Sequence, residues 1–308
     1  MSRRYKELSV AQSIALELVW YTCKIFSLLP FWFHYHVVAR GVYVLLLYII
    51  KYRVKVVKDN LAHAFPEKSD AEREEILKRS YVVLSEIFVS TIVLTRGCKH
   101  VPFLDPAESG TEADRMRREV KGQSWVGLAA HFGPWEYFSL WGNYSGQMTI
   151  GTYHPLHSAV FNEFFMRLRS SPNVVNVSWT DTIRFCLTQH AKGVEFSLGL
   201  IADQSPPRNV GRWVNFFHRD TIFFDGGEKI ALKLKLPAYF VYQRRHGRGL
   251  YEYAYDKLYD GVEKVEPFEI TQRYINRLEE AIRETPELWL WSHRRWKRKR
   301  PAEESNVQ

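Results

Sequence analysis

The sequence predicts an α/β fold, a mixed central sheet flanked by helices, preceded by an apolar helical segment at the N-terminus. Three observations lead there. From about residue 125 onward, apolar runs of strand length alternate with segments of helical period. One such run, Trp125 to Ala130, ends abruptly on His131-Phe-Gly-Pro-Trp-Glu136. Earlier, Ile14 to Ile50 is rich in Leu, Val, Trp, Tyr and Phe but is broken by Pro30, His34, His36 and Arg40.

Composition bounds the reading. The 308 residues suffice for one large domain or two small ones with a substantial core. Hydrophobic residues at 46% and charged residues at 25% exclude wholesale disorder. An aromatic content of 15% suits either a large core or a boundary between water and hydrocarbon. A formal net charge of +9 attracts polyanions, whether nucleic acid, anionic lipid or an acidic carrier protein. Cys23, Cys98 and Cys186 form no CxxC pair, which argues against a zinc ribbon or disulfide framework and fits a reducing compartment.

Taken in order, residues 1–60 read as a membrane-associated helical segment. A spanning helix needs about 20 consecutive apolar residues, and the longest clean run, Gly41 to Ile50, is half that. Lys51, Arg53, Lys55 and Lys58 follow as a basic collar, so one or two helices lying in the interface or dipping into one leaflet are expected on the cytoplasmic side. A buried helical hairpin, or a true span centred on Phe26 to Ile50, satisfies the same pattern. No small-residue cleavage site follows the run, so it does not read as a signal peptide. Residues 61–301 form the main domain and 302–308 a polar tail. Ser69-Asp-Ala-Glu72 is a capping box, and Leu77, Tyr81, Leu84 and Phe88 recur at helical spacing, which predicts a helix packed on the core. A charged stretch runs from Glu108 to Lys121. Strands are expected at Gln147 to Tyr153, Val194 to Ala202, Val214 to Phe217 and Ala238 to Gln243. Helices are expected at Ser158 to Arg169, Asp181 to Gln189, Glu228 to Leu236 and Thr271 to Glu284.

The segment after Trp125 carries the chemistry. A strand to Ala130 and a helix from Pro134 to Asn143 put His131 at a strand's carboxyl end and Glu136 in the first helical turn, with proline suited to the first helical position. Ligands of open α/β sheets gather at this edge, and a helix start stabilises phosphate or a developing oxyanion. A histidine base needs its tautomer held, and a nearby carboxylate does that. The His-x4-Glu spacing therefore predicts a dyad of His131 and Glu136 that takes a proton from a hydroxyl attacking a thioester. No G-x-S-x-G elbow, P-loop or G-x-G-x-x-G occurs.

Five ordered blocks extend the pattern over about residues 20 to 301. Ala130-His-Phe-Gly-Pro-Trp-Glu136 resembles the HFGNWE-type signature of the lipid A biosynthesis acyltransferases, the lauroyl and myristoyl transferase family within the glycerolipid acyltransferase superfamily. Asn60-Leu-Ala-His-Ala-Phe-Pro-Glu67 is similar to its NLxxAFPE segment. Tyr153-His-Pro-Leu-His157 with Arg167-Leu-Arg169 is similar to its YRPL…RLR segment. Ile201-Ala-Asp-Gln204 with Val214-Asn-Phe-Phe217 resembles its (A/T)DQ…VPFFG segment, and Trp289-Leu-Trp-Ser-His-Arg-Arg-Trp296 its WLWxHRRW ending. The resemblance implies a glycerolipid acyltransferase-like fold and catalytic roles for His131 and Glu136, with Glu136 orienting His131. It implies that Arg167 or Arg169 binds an acceptor phosphate, and that Asp203 and Gln204 line the same cleft. It implies an acyl donor, acyl carrier protein or acyl-CoA, a lipid A precursor as acceptor, no cofactor, and a place on the cytoplasmic face of a bacterial inner membrane.

Three departures bear on the acceptor: His154 replaces the arginine of YRP, His218 replaces the glycine after the FF pair, and Phe224-Asp-Gly-Gly-Glu-Lys229 replaces a Thr-Gly pair. An aminolipid or lysophospholipid acceptor is the alternative within the class, and a non-catalytic lipid-binding envelope protein the alternative outside it. His154-Pro-Leu-His157 lacks further ligands in sequence, so no metal is expected. The tail Arg294-Arg-Trp-Lys-Arg-Lys-Arg300 suits nucleic acid or an anionic membrane, and the apolar N-terminus favours the membrane over nucleic acid.

Overall fold

A computed structural model of the chain describes residues 8–97, 110–206 and 210–301. Cys98, Glu108 at the start of the charged stretch, and the 302–308 tail lie outside them. Eight strands are described: β1 (Trp125–Ala129), β2 (Met148–Tyr153), β3 (Val174–Ser178), β4 (Phe196–Ile201), β5 (Arg212–Phe216), β6 (Arg219–Phe223), β7 (Ala238–Gly247) and β8 (Leu250–Tyr259). Six form one sheet in the order β3-β2-β4-β1-β7-β8. The first five of these are parallel, and β8 closes the edge antiparallel to β7.

The α/β expectation holds, with corrections. The strand expected at Val214 to Phe217 is not in the sheet; as β5 it pairs with β6 in a separate two-stranded ribbon. Strands β3, β6 and β8 were not expected. The helix expected from Pro134 is a 3-10 helix over Trp135–Leu140, passing into a short α-turn, Trp141–Ser145. Gly133 takes a φ of 67°, and the Pro134 carbonyl accepts from Tyr137 N three residues on. Pro134 therefore caps the turn rather than opening an α-helix.

The capping box forms as expected. Ser69 N donates to Glu72 Oε2 at 2.7 Å and Glu72 N to Ser69 Oγ at 3.3 Å, starting the helix Asp70–Leu94. Leu77, Tyr81 and Leu84 are buried on it, but Phe88 is 49% exposed. This helix is the spine between the sheet domain and the N-terminal helices.

Those helices are Val10–Phe26 and Phe31–Ile49, bent by 112° at Pro30. The second contains π-turns at His34–Val38 and Leu45–Ile49. No single helix among the described residues is long and apolar enough to cross a membrane. Leu16 and Trp20 of the first and Leu46 and Leu47 of the second join the same buried core as the sheet residues Val126, Leu128 and Leu198. The opposite side of the first helix leaves Val10, Ile14, Leu18, Tyr21 and Ile25 exposed at helical spacing, a single outward apolar stripe.

Side-chain alternation gives the sheet two unlike faces. Val126, Leu128 and Leu198 are buried under the helix Gly226–Leu234, which approaches closely because Gly227 has no side chain: a Cβ there would lie 2.5 Å from Leu128. Gly127, Ala129, Ser197 and Gly199 face a cleft.

Candidate active site

Strands β1 and β4 are parallel neighbours with Ala129 opposite Ile201. His131 and Asp203 each lie two residues beyond that last pair, so the register alone carries them to the same level past the sheet's carboxyl edge. Nδ1 of His131 is 2.8 Å from Asp203 Oδ1, and Trp289 Nε1–H donates to Asp203 Oδ2 at 2.8 Å. With Nδ1–H donating to Asp203, Nε2 carries the lone pair and accepts from Gln204 Nε2 at 3.1 Å. The edge of Trp135 meets the imidazole at 4.8 Å between centroids. Burial pushes the Asp203 carboxyl up, but the charge and hydrogen bond of His131 and the Trp289 donor outweigh it and hold the group below the usual carboxylate range.

Glu136 does not orient His131, as the spacing had suggested. It forms a two-pronged ion pair with Arg169, both oxygen–nitrogen distances 2.6 Å. The 3-10 turn swings Glu136 toward the helix Ala159–Arg169, while Asp203 takes the position at Nδ1. The Glu136 side chain is 5% exposed and that of Arg169 28%. Burial opposes the charge of Arg169, and the hydrogen bond and charge of Glu136 more than offset this and raise it. The free helix start expected for an oxyanion is also reduced, because Trp135 N and Tyr137 N already donate to Gly133 and Pro134 carbonyls.

Of the expected site residues, the structure brings His131, Glu136, Arg169 and Gln204 to the lining of a cleft of about 500 Å³. Asp203 lies buried behind His131. Arg167 points elsewhere: it pairs with Glu17 at 2.9 Å and sits over the Trp20 ring at 4.2 Å, fastening its helix to the N-terminal one. His154 lines the cleft and stacks on Trp179. His218 does not; it is the exposed second residue of the β5–β6 turn, with a φ of 61°. The departure at His218 thus falls in a tight turn, at a positive φ that glycine adopts most readily, and not in the cleft. The Phe224–Lys229 segment likewise serves packing, since Gly227 seats its helix against β1 on the face away from the cleft. No group of three or more potential metal ligands occurs among the described residues.

Several supporting residues were not singled out from sequence. Trp289 holds Asp203 and bridges Phe132 backbone to backbone, and Leu290 N donates to the His131 carbonyl at 3.0 Å. Asn60 Nδ2 donates to the carbonyls of Trp291 and His293 at 2.7 and 3.0 Å, and Arg53 to that of Ser292 at 3.0 Å. The sequence blocks at residues 60–67 and 289–296 are thus one clasp. Behind the motif, Gln243 donates to the Pro134 carbonyl at 3.2 Å, Tyr253 to that of Tyr137, and the hydroxyls of Tyr137 and Tyr35 meet at 3.1 Å. Buried Glu86 pairs with Arg245 and accepts from Tyr251 at 2.6 Å in the same layer. For Asn60 and residues 289–293 the signal was their presence in the ordered blocks; the others lie outside those blocks, and the partners of all of them depend on the tertiary fold.

The sequence profile of the bacterial lipid A biosynthesis acyltransferases matches residues 1–298. The chain belongs to that family. This lipid A acyltransferase family member is accordingly an acyltransferase. A search of curated proteins finds no match. Among solved structures, the crystal structure of the 1-acyl-sn-glycerophosphate acyltransferase PlsC from Thermotoga maritima is similar over 91% of this chain and 99% of that chain, at 12% identity and a TM-score of 0.34. A likeness that loose carries no argument about the site.

Proposed function

We propose that this acyltransferase moves a fatty acyl chain from a thioester, acyl carrier protein or acyl-CoA, to a hydroxyl of a lipid A precursor, with His131 as general base. The observation that supports this is the His131 imidazole held between Asp203 and Gln204 at the edge of a largely apolar cleft. The acceptor hydroxyl displaces Gln204 and gives its proton to Nε2 of His131 as its oxygen attacks the thioester carbonyl. Asp203 stabilises the imidazolium that forms. Collapse of the tetrahedral intermediate breaks the C–S bond, and the proton passes from His131 to the departing thiolate. The products are an ester and a free thiol, with no covalent enzyme intermediate.

Glu136 then acts through Arg169, fixing the guanidinium at the cleft wall with its remaining N–H groups available to an acceptor phosphate. Of the two candidate arginines, Arg169 is favoured because Arg167 is bound to Glu17. The outward stripe from Val10 to Ile25, with exposed Trp32, Ile49 and Ile50 on the bent partner helix, lies in one leaflet of the inner membrane from the cytoplasmic face. Exposed Lys51 and Lys55 meet anionic head groups.

The test is transfer of labelled acyl groups from acyl carrier protein and from acyl-CoA to a panel of lipid A precursor, aminolipid and lysophospholipid acceptors, with His131→Ala alongside. Transfer by the variant at the wild-type rate sinks the mechanism. Transfer to lysophospholipid alone moves the acceptor assignment.

A further inference from the structure

Three parallel strands present glycine at one level of the cleft face. Gly127 of β1 is opposite Gly199 of β4, and Gly199 is opposite Gly151 of β2. All three line the cleft. None has a positive φ, so the backbone does not require glycine at any of them. A Cβ on Gly199 would meet nothing closer than the Ile150 carbonyl at 3.7 Å, and one on Gly151 nothing closer than Asn176 Oδ1 at 3.4 Å. What a side chain at these positions would occupy is the cleft itself.

The far end of the cleft is aromatic. Trp125 lies two residues deeper on β1, its ring folded over Gly127, and packs edge-on against Trp141 at 5.6 Å; Trp141 in turn meets Tyr253 at 6.0 Å. Met116 and Val174 complete this floor. At about 3.3 Å per residue Gly199 lies about 13 Å below Asp203; the Trp125 ring closes the β1 side at that level, and beside it the cleft continues along β4 and β2 to Ser197 and Thr149, about 20 Å below the reacting edge. The cleft is therefore a deep apolar trough running down the sheet from the reacting edge, kept open midway by the absence of side chains.

We propose that Gly151 and Gly199 set the length of acyl chain this enzyme accepts, by leaving open the deep half of the trough along β4 and β2, beside the Trp125 ring. The proposal rests on the acyl-transfer reading for the identity of the chain. The donor's acyl group enters carbonyl-last at His131 and extends past the glycines toward the floor. A valine at Gly199 stops it midway. Each methylene that can no longer be buried weakens binding about fourfold.

Displacement of a fluorescent fatty-acid probe by saturated fatty acids of graded length, on wild type, Gly199→Val and Gly151→Val, reads this directly. The variants are expected to bind short acids as wild type does, which also reports that they fold, and to lose long ones progressively from a sharp length onward. Gly199→Ala is expected to shift the cut-off less, and serves if the valine variant does not fold. Thioester donors of the same lengths should show the same shift in transfer rate. An unchanged length profile, or uniform weakening at every length, overturns the proposal. So does a profile that moves with the acceptor's own chains and not with the donor's. A wild type that binds acids with a length cut-off but transfers none overturns the reaction and leaves the trough's role standing.

Discussion

Two buried carboxylates flank the cleft, and they are partnered in opposite ways. Glu136 and Asp203 are almost equally hidden, with side chains 5% and 3% exposed. Glu136 faces a guanidinium, which keeps its proton at any working pH. Asp203 faces an imidazole, whose second ring nitrogen can take up or release a proton. The first pair is a fixed element of charge, and the second is the pair to which we assign proton transfer. The carboxylate five residues on from His131 in sequence is thus not the one that meets it in space.

The largest test of this contrast is on turnover. His131→Ala should lower kcat by about 10²–10⁴-fold. Asp203→Asn should lower it by a smaller factor than His131→Ala does, because the base remains but its tautomer is no longer held. Single-turnover rates with a saturating donor would check both, and an Asp203→Asn enzyme as fast as wild type would remove Asp203 from the mechanism. Glu136→Gln should act first on stability. It leaves the Arg169 charge without its partner, which costs about 3 kcal/mol, the lower end of the range for broken buried pairs because Arg169 keeps some exposure. Urea midpoints measure this; a loss of turnover as deep as that of His131→Ala, with stability intact, would return Glu136 to the role the spacing suggested.

Acid titration separates the two sides further. His293 is held down to about 4 from 6.5, by burial first and then by the positive neighbours His131, Arg295 and Lys297 against the opposing pull of Asp203. Its folded value lies below its unfolded one, so between pH 6.5 and about 4 the unfolded chain binds the extra proton and stability falls as pH falls. Asp203 is also depressed, so its contribution is complete above its unfolded value near 3.8 and is lost as pH drops through the lower folded one. Melting temperature against pH should therefore lose one increment in His293→Gln in the first window and another in Asp203→Asn in the second. A His293→Gln curve parallel to wild type across the first window would refute the assignment. The smallest effect belongs to Tyr35→Phe. Losing the hydroxyl contact with Tyr137, next to Glu136, should cost about 1 kcal/mol, with turnover affected less than by Glu136→Gln. A melting temperature equal to wild type would show that the N-terminal helices do not brace the motif.

Much of this was legible in the sequence, for reasons that differ by residue. Ser69 and Glu72 cap a helix through neighbours three apart, so a local pattern suffices. His131, Asp203 and Gln204 were placed at strand ends correctly, but which carboxylate reaches the imidazole depends on β4 lying beside β1, and strand order is not a local property. Arg167 and Arg169 stand two apart on one helix, so they face different ways, and one fastens the N-terminal helix while the other reaches the cleft. Strand β8 was missed although Tyr251, Tyr253 and Tyr255 alternate with Glu252, Ala254 and Asp256 at a strand's period. Strand β3 is short and half-buried, and its pattern differs little from a loop.

The clasp between Asn60 and the Trp291–His293 loop also sets an order in time. The outward apolar stripe and Asn60 leave the ribosome early, whereas Trp289, which holds Asp203, leaves near the end. At about 5–20 residues per second the interval is roughly ten to forty-five seconds. Throughout it the chain displays its outward apolar stripe while Asp203 lacks Trp289. The growing chain thus exposes this stripe well before Trp289 can reach Asp203.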